Sequence, residues 1–380
     1  MNCLYIFNPE NDLALADGSH HFTPPAAALR LAAAGAVLPV WYAGCGDFVL
    51  ASVSDALWME SVGMKFGLDA RIVSDVPGLV RAVEPWGWSR YLKYRLQNAG
   101  VPSECLPSDR VLDDIRCCSH RFTSVLLHRA LVGASLPYPL PDEPVMVSDP
   151  SVIADRLRRG EDLFVKSPLS GSGRGILDSR SAPERQILRL ATGVIRRQGA
   201  VMVEKCLDKV ADFAMLYDYY DGVAGFVGYS SFYNVGYSAY GGNILMPDDR
   251  LRLSVASNGV PAEWLDSTRD AVAGALESVL GDRYNGPLGV DMMVYDRGGL
   301  ISIAPCVEVN VRMTMGRVAH ALSGRYLADG TRGVMKIVHN PELLKIGPCE
   351  MEGNRLVRGA VFLTPPAGND FAFVMEVFGE

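Results

Sequence analysis

Glu308, Asn310 and Arg312 stand two residues apart in the run Val307-Glu308-Val309-Asn310-Val311-Arg312. Successive strand side chains alternate between faces, so the three polar groups share one face and the three valines the other. Asp291 interrupts the apolar run 288–295, and a buried carboxylate there is costly unless a cation or donor answers it. Oxygen ligands from Asp291, Glu308 and Asn310 suit magnesium, with manganese as a substitute, and such a hard ion would bridge nucleotide phosphates. Arg312 would face the same phosphates or a charged intermediate. The bland alternative is a structural salt bridge of Arg312 with Glu308 or Asp291.

A second group lies upstream. Lys166 ends the strand-like run Phe164-Val165-Lys166 and precedes Ser167-Pro168-Leu169-Ser170-Gly171-Ser172-Gly173-Arg174-Gly175. Glycines let backbone N–H groups approach phosphate oxygens, the serines add donors, and the lysine adds fixed charge. Ser170, Gly171, Ser172 and Gly173 are the candidate phosphate cradle. No Gly-Lys-Ser/Thr follows, so this is no Walker loop, and the extended segment after it suits a covering flap. An ordinary glycine-rich hairpin is the alternative for this loop taken alone.

Between these groups, Ala200-Val201-Met202-Val203-Glu204-Lys205-Cys206-Leu207 is a short apolar strand ending in a charged pair. Such a connector, ending in Glu204 and Lys205, can present its backbone to a base edge while apolar residues such as Leu207 sandwich the ring. A nearby carboxylate, Asp212 in preference to Asp208, can hold ribose hydroxyls. In isolation Glu204-Lys205 is only a strand-end charge pair.

The elements that must position these residues divide the chain. Residues 1–118 alternate strand-like and helix-like segments, with strands at 3–7 and 36–42 and helices at 25–34 and near 52–66, the pattern of a parallel α/β unit. A helix capped by Ser119 runs to Leu131, and 119–205 forms a small α+β lobe. From 206 to 335 strand-like runs dominate, interrupted by one helix at 261–280. Asp296-Arg297-Gly298-Gly299 marks a hairpin, and Pro305, which cannot donate to a sheet, marks a bulge at 304–306. Residues 336–380 form a C-terminal extension packed on the large lobe.

Bulk properties narrow the function. A length of 380 residues suits several packed units, and 49% hydrophobic with 21% charged residues is a globular profile. A net charge of −7 without clustered Lys and Arg argues against nucleic acid. The basic run 156–159 reads as a solvated helix face. No apolar stretch approaches the roughly 18 to 20 residues that span a bilayer, and the first residues lack a signal-peptide pattern. A cytoplasmic location without membrane association follows as the expectation. The eight cysteines are scattered and read as free thiols.

At these motifs the sequence resembles the ATP-grasp superfamily, which includes D-alanine–D-alanine ligases, biotin carboxylases and glutathione synthetases. The resemblance covers about 119–320. The 164–176 loop is similar to the family's phosphate loop, 203–207 to its adenine hinge, and Asp291 with Glu308-x-Asn310 to its metal ligands. Arg121 sits where many members have a lysine reaching ATP, and Arg312 where several place an arginine. The resemblance implies an ATP-grasp fold behind an N-terminal parallel α/β domain, with ATP and magnesium as cofactors. It implies an ADP-forming ligase that phosphorylates a small-molecule or peptide carboxylate to an acylphosphate, which an amine then attacks. Lys166, Arg121 and Arg312 with the metal suffice for such positioning and charge neutralisation. A kinase on the same scaffold, or a nucleotide-binding protein without catalysis, are the alternatives. Assembly as a homodimer is open.

The carboxylate and amine substrates must be held by other segments. Asn8, Glu10 and Asn11 follow the first strand, where ligands bind in open α/β sheets. His20 and His21 extend that polar cluster, and Tyr237 lies in a Gly, Tyr and Ser-rich stretch at 228–243 that suits a loop over the substrate. A capped turn or surface loop is the alternative for each.

Overall fold

The computed structural model describes residues 2–52, 56–171, 175–235 and 239–379. At the N-terminus β1 (Cys3–Ile6), β2 (Phe48–Leu50), β3 (Arg71–Val73) and β4 (Ala82–Pro85) form a parallel sheet in the order β3-β2-β1-β4. The strand expected at 36–42 is instead a 3-10 helix, Leu38–Trp41. Its four residues are all buried, so the apolar run reflects burial on every side and not strand alternation, and Pro39 removes a donor that a sheet ladder would need.

The helix expected to start at Ser119 begins at Phe122. Ser119 closes the preceding helix, Asp109–Cys118, with its hydroxyl donating to Ile115 O. A small antiparallel sheet follows, made of β5 (Val145–Val147), β6 (Leu163–Lys166), β7 (Ile176–Asp178) and β8 (Val201–Lys205), in the order β5-β8-β6-β7. The helix Glu184–Gln198 covers it with Ile187, Ala191 and Val194, spaced on one face, and ends at Gly199, whose φ of 84° suits glycine.

The largest sheet has nine strands. These are β9 (Asp208–Tyr220), β10 (Val223–Val235), β11 (Ala239–Leu245), β12 (Gly286–Asp296), β13 (Ile301–Asn310), β14 (Gly333–His339), β15 (Glu350–Glu352), β16 (Arg355–Phe362) and β17 (Phe371–Phe378), ordered β13-β12-β9-β10-β11-β14-β17-β16-β15. Val290, Met292 and Val294 of β12 pack with Leu265, Val272 and Leu276 of the helix Ala262–Leu280, which leaves Asp291 on the other face. The bulge expected near Pro305 is present: Asp291 pairs with Glu308 and Met293 with Ala304, so the register shifts between them.

Two helices beyond the one anticipated interrupt these strands, Asp248–Ala256 and Met315–Tyr326. The second is capped by Thr314, whose hydroxyl accepts from Arg317 N at 3.2 Å. Its glycine and β-branched residues are weak helix formers, and burial of Val318, Ala319 and Leu322 holds it. β14 runs through residue 335 and pairs with both β11 and β17, so the C-terminal strands continue the large sheet. They also share a core with the N-terminal domain: Phe7, Trp41 and Phe66 pack with Leu322, Tyr326, Phe373 and Met375. Trp41 Nε1 donates to Leu363 O at 2.7 Å. Each such aromatic contributes roughly 1.5–3 kcal/mol by burial, so this seam fixes the N-terminal domain against the large sheet.

Among the described residues, no helix is long and apolar enough to cross a membrane.

Candidate active site

Asp291 and Glu308 face each other as direct partners on β12 and β13. Two carboxylates are thereby held side by side on the inner face of the sheet. Asn310 Nδ2 donates to Asp291 Oδ2 at 3.0 Å. Desolvation, reinforced by the neighbouring Glu308 charge, pushes the Asp291 carboxyl up to about 7. Glu308 goes the other way: burial would raise it, but Arg121 and then Lys166 outweigh burial and keep it ionised below the usual range. A carboxylate pair with a side-chain amide beside it fits a hard divalent cation.

Arg121 joins this strand pair to the segment 167–171. Its guanidinium donates to Glu308 Oε1 at 2.8 Å, to Ser170 Oγ at 2.7 Å and to the carbonyl of Ser167, while its backbone N–H donates to Pro168 O. Only 4% of the residue is exposed, and its Nε has no partner. Lys166, also buried, forms an ion pair with Glu204. Alternation along β8 puts Lys205 on the opposite face from Glu204, and its ammonium pairs with Asp142 near the surface. Leu207 lies in the connection between β8 and β9 and is half-buried. Asp212, on β9, accepts from Lys209 Nζ at 2.7 Å and from Asn234 Nδ2 at 3.3 Å.

A cavity of about 260 Å³ brings part of this set together: Arg121, Gly171, Asp291, Glu308, Asn310 and Arg312 line it, while Lys166, Ser170, Glu204, Lys205, Leu207 and Asp212 are not in its lining. Ser172, Gly173 and Tyr237 lie outside the described residues. The bland reading of Arg312, a pair with Glu308 or Asp291, does not hold. Its partner is Asp12, with Nε on Oδ1 at 2.8 Å and Nη2 on Oδ2 at 2.7 Å. Asp12 also packs against the phosphate loop: a Cβ on Gly171 would fall 2.6 Å from Asp12 Oδ2, so only glycine fits there.

The polar cluster after β1 divides differently from the sequence expectation. Asn8 Nδ2 donates to Gly87 O at 2.8 Å. The Asn11 amide, oriented to satisfy its neighbours, donates to Gly87 O and Trp88 O. Glu10 is buried, with Oε2 unpartnered. The two asparagines brace the 85–88 turn, and it is Trp86 from that turn, with Pro9 and Asp12, that reaches the cavity. His20 and His21 are not in its lining. Gly18, at φ 78°, ends the helix Asn11–Asp17, and the histidines pack on the helix Arg90–Asn98, where His21 meets Tyr94 edge to face.

Other lining residues come from the 228–243 stretch expected as a loop, whose described residues are instead strand, in β10 and β11. Ser230, Tyr240 and Asn243 form a chain of hydrogen bonds, with Asn243 Nδ2 donating to Ser230 Oγ at 2.8 Å and Tyr240 OH donating to Asn243 Oδ1. The close approach of Gly316, where a Cβ would lie 2.7 Å from Ser230 Oγ, seats the helix Met315–Tyr326 against them. The signal that could have found Asn243 is a polar residue inside the strand run Asn243-Ile244-Leu245, the same kind of interruption that marked Asp291.

No protein-family model matches the sequence, and no curated protein matches it. Solved structures do. A biotin carboxylase of Campylobacter jejuni, solved as a complex with β,γ-ATP, superposes with a TM-score of 0.51 at 11% identity, over 99% of this chain and 87% of that one. The biotin carboxylase domain dimer of Hydrogenobacter thermophilus 2-oxoglutarate carboxylase, in complex with MgADP, ADP and bicarbonate, gives 0.50 at 11% identity, over 100% and 86%. The chain has the ATP-grasp fold. The superposition covers 99% of the chain, with its parallel sheet and its antiparallel sheets together. At such identity it is the fold that is shared.

Proposed function

We propose that the protein is an ATP-dependent, ADP-forming carboxylate–amine ligase. The observation that carries this reading is the convergence of Asp291, Glu308, Asn310, Arg312 and Arg121 with the Gly171 loop on one cavity, within an ATP-grasp fold. Asp291, Glu308 and Asn310 would hold magnesium, which supplies charge neutralisation between nucleotide phosphates. Lys166 and Arg121 exchange their carboxylate partners for phosphate oxygens, the 204–207 segment reads the adenine, and Asp212 the ribose. Arg312 steadies the substrate carboxylate or the acylphosphate made from it. Phosphoryl transfer depends chiefly on such positioning and charge, and no Ser or Cys nucleophile is required.

Beyond the charged floor, Phe7, Trp86, Phe232 and Phe373 give the cavity an apolar lining, and Ser230 and Asn243 add neutral hydrogen-bonding groups. This lining suits a carboxylic acid with an apolar body and a neutral hydrogen-bonding group.

The test is incubation of purified protein with ATP, magnesium and pooled carboxylates and amines, following ADP and phosphate release and the product mass. Ligation requires both substrates and yields an amide. A stable phosphorylated product formed without amine makes the enzyme a kinase instead. Turnover unchanged by Glu308→Ala and Asn310→Ala overturns the mechanism.

A further inference from the structure

A second recess, of about 490 Å³, opens between the N-terminal sheet, the end of β9 and the helix Met315–Tyr326, and shares no lining residue with the active-site cavity. Its walls differ in character. On one side Tyr5 of β1 and Glu84 of β4 are register partners on adjacent strands, so their side chains emerge together. Tyr42 meets Tyr5 edge to face, with ring centroids 5.9 Å apart. Glu84 is exposed where it lines the recess and forms no ion pair among the described residues. It is an acid lacking a cation.

On the other side Arg317 reaches in from the helix. Its Nη2 donates to Asp218 Oδ1 at 2.7 Å, but its buried Nη1 has no partner among the described residues. A buried guanidinium N–H left unpaired costs free energy that an incoming anion would recover. Arg325 and His320 of the same helix also line this side, the imidazole kept neutral by burial. The recess thus presents an uncompensated carboxylate beside tyrosine rings on one wall and an unused guanidinium donor on the other, in a volume typical of small-molecule sites.

We propose that this recess binds an amino acid, with its ammonium group against Glu84 and the Tyr5 and Tyr42 rings and its carboxylate on Arg317 Nη1. A zwitterion answers both open groups at once without changing the charge balance of the recess. Aromatic faces add cation–π attraction for the ammonium end. A simple amine or a simple carboxylate satisfies one wall only.

The experiment is calorimetric titration and thermal denaturation of the full-length protein with the common α-amino acids and γ-aminobutyrate individually, and with n-butylamine and n-butyrate as half-ligand controls. At least one amino acid is expected to bind and raise Tm, with neither half-ligand doing so at the same concentration. Glu84→Gln should weaken that binding about tenfold or more, the loss of one charge-assisted contact, while ATP binding is unchanged. Arg312→Lys, in the other cavity, should leave it intact. Absence of binding by every amino acid overturns the proposal. So does binding that survives Glu84→Gln, or that is lost in Arg312→Lys, which would put the ligand in the active-site cavity.

Discussion

Asp12 and Arg312, 300 residues apart in the chain, meet through two parallel hydrogen bonds of 2.8 and 2.7 Å. The pair ties the N-terminal domain to the strand that carries Glu308 and Asn310. It fixes where the guanidinium points and balances its charge while no anionic ligand is bound. Arg312→Lys keeps the charge but loses the fork, and Asp12→Asn removes the anchor. Each should lower kcat about 10- to 100-fold through misplacement of the charge, with ATP affinity little changed, as steady-state kinetics and nucleotide titration would check. Equal loss of ATP affinity would place Arg312 on the nucleotide instead.

The Asp291 and Glu308 carboxylates are cross-strand partners, so a cation should be felt by both. Asp291→Asn should raise the magnesium concentration needed for half-maximal ATP turnover and reduce the maximal rate by about 10²-fold or more. Glu308→Gln should do the same and also destabilise the fold, because Arg121 is left buried beside a neutral group, at a cost of about 3–5 kcal/mol if the pair is fully broken. Magnesium titration of turnover, paired with denaturant unfolding, separates the two effects.

Gly171 is confined by Asp12, with room for no Cβ. Gly171→Ala should push the phosphate loop away from Asp12, raising KM for ATP several-fold while leaving global stability within about 1 kcal/mol. An unchanged KM would show that the loop does not close on Asp12 during turnover.

Asp178 anchors the small lobe. It accepts from the backbone and guanidinium of Arg180 and from Cys206 Sγ at 3.3 Å. Burial opposes its ionisation, but the Arg180 hydrogen bonds and the Cys206 contact hold its carboxyl below the ordinary value of 3.8. A depressed folded value adds stability that is complete above the unfolded value and fades as pH falls through the folded one. Asp178→Asn should therefore destabilise by roughly 1–3 kcal/mol at neutral pH, and the difference from the parent should shrink below pH 3.8, as denaturant curves across pH would show.

How much was legible in the sequence depends on whether the signal was local. Glu308, Asn310 and Asp291 could be read because polar residues at strand spacing in apolar runs are costly unless something answers them. The Pro305 bulge could be read because proline lacks the ladder donor. The 3-10 helix Leu38–Trp41 could not, since a short apolar run has no period that separates a strand from a helix buried all round.

The sequence by itself determined the three chemical groups, their order, and the alternation of α/β and antiparallel units, because these follow from residue type and short spacing. Only the tertiary structure decided what each charge meets. Arg312 pairs with Asp12 and not with its strand neighbours, Arg121 links Ser170 to Glu308, and Asn8 and Asn11 brace a turn while Asp12 beside them faces the cavity. Such partnerships form when distant segments are packed together, and electrostatic energy then depends on distance and burial, neither of which residue spacing specifies.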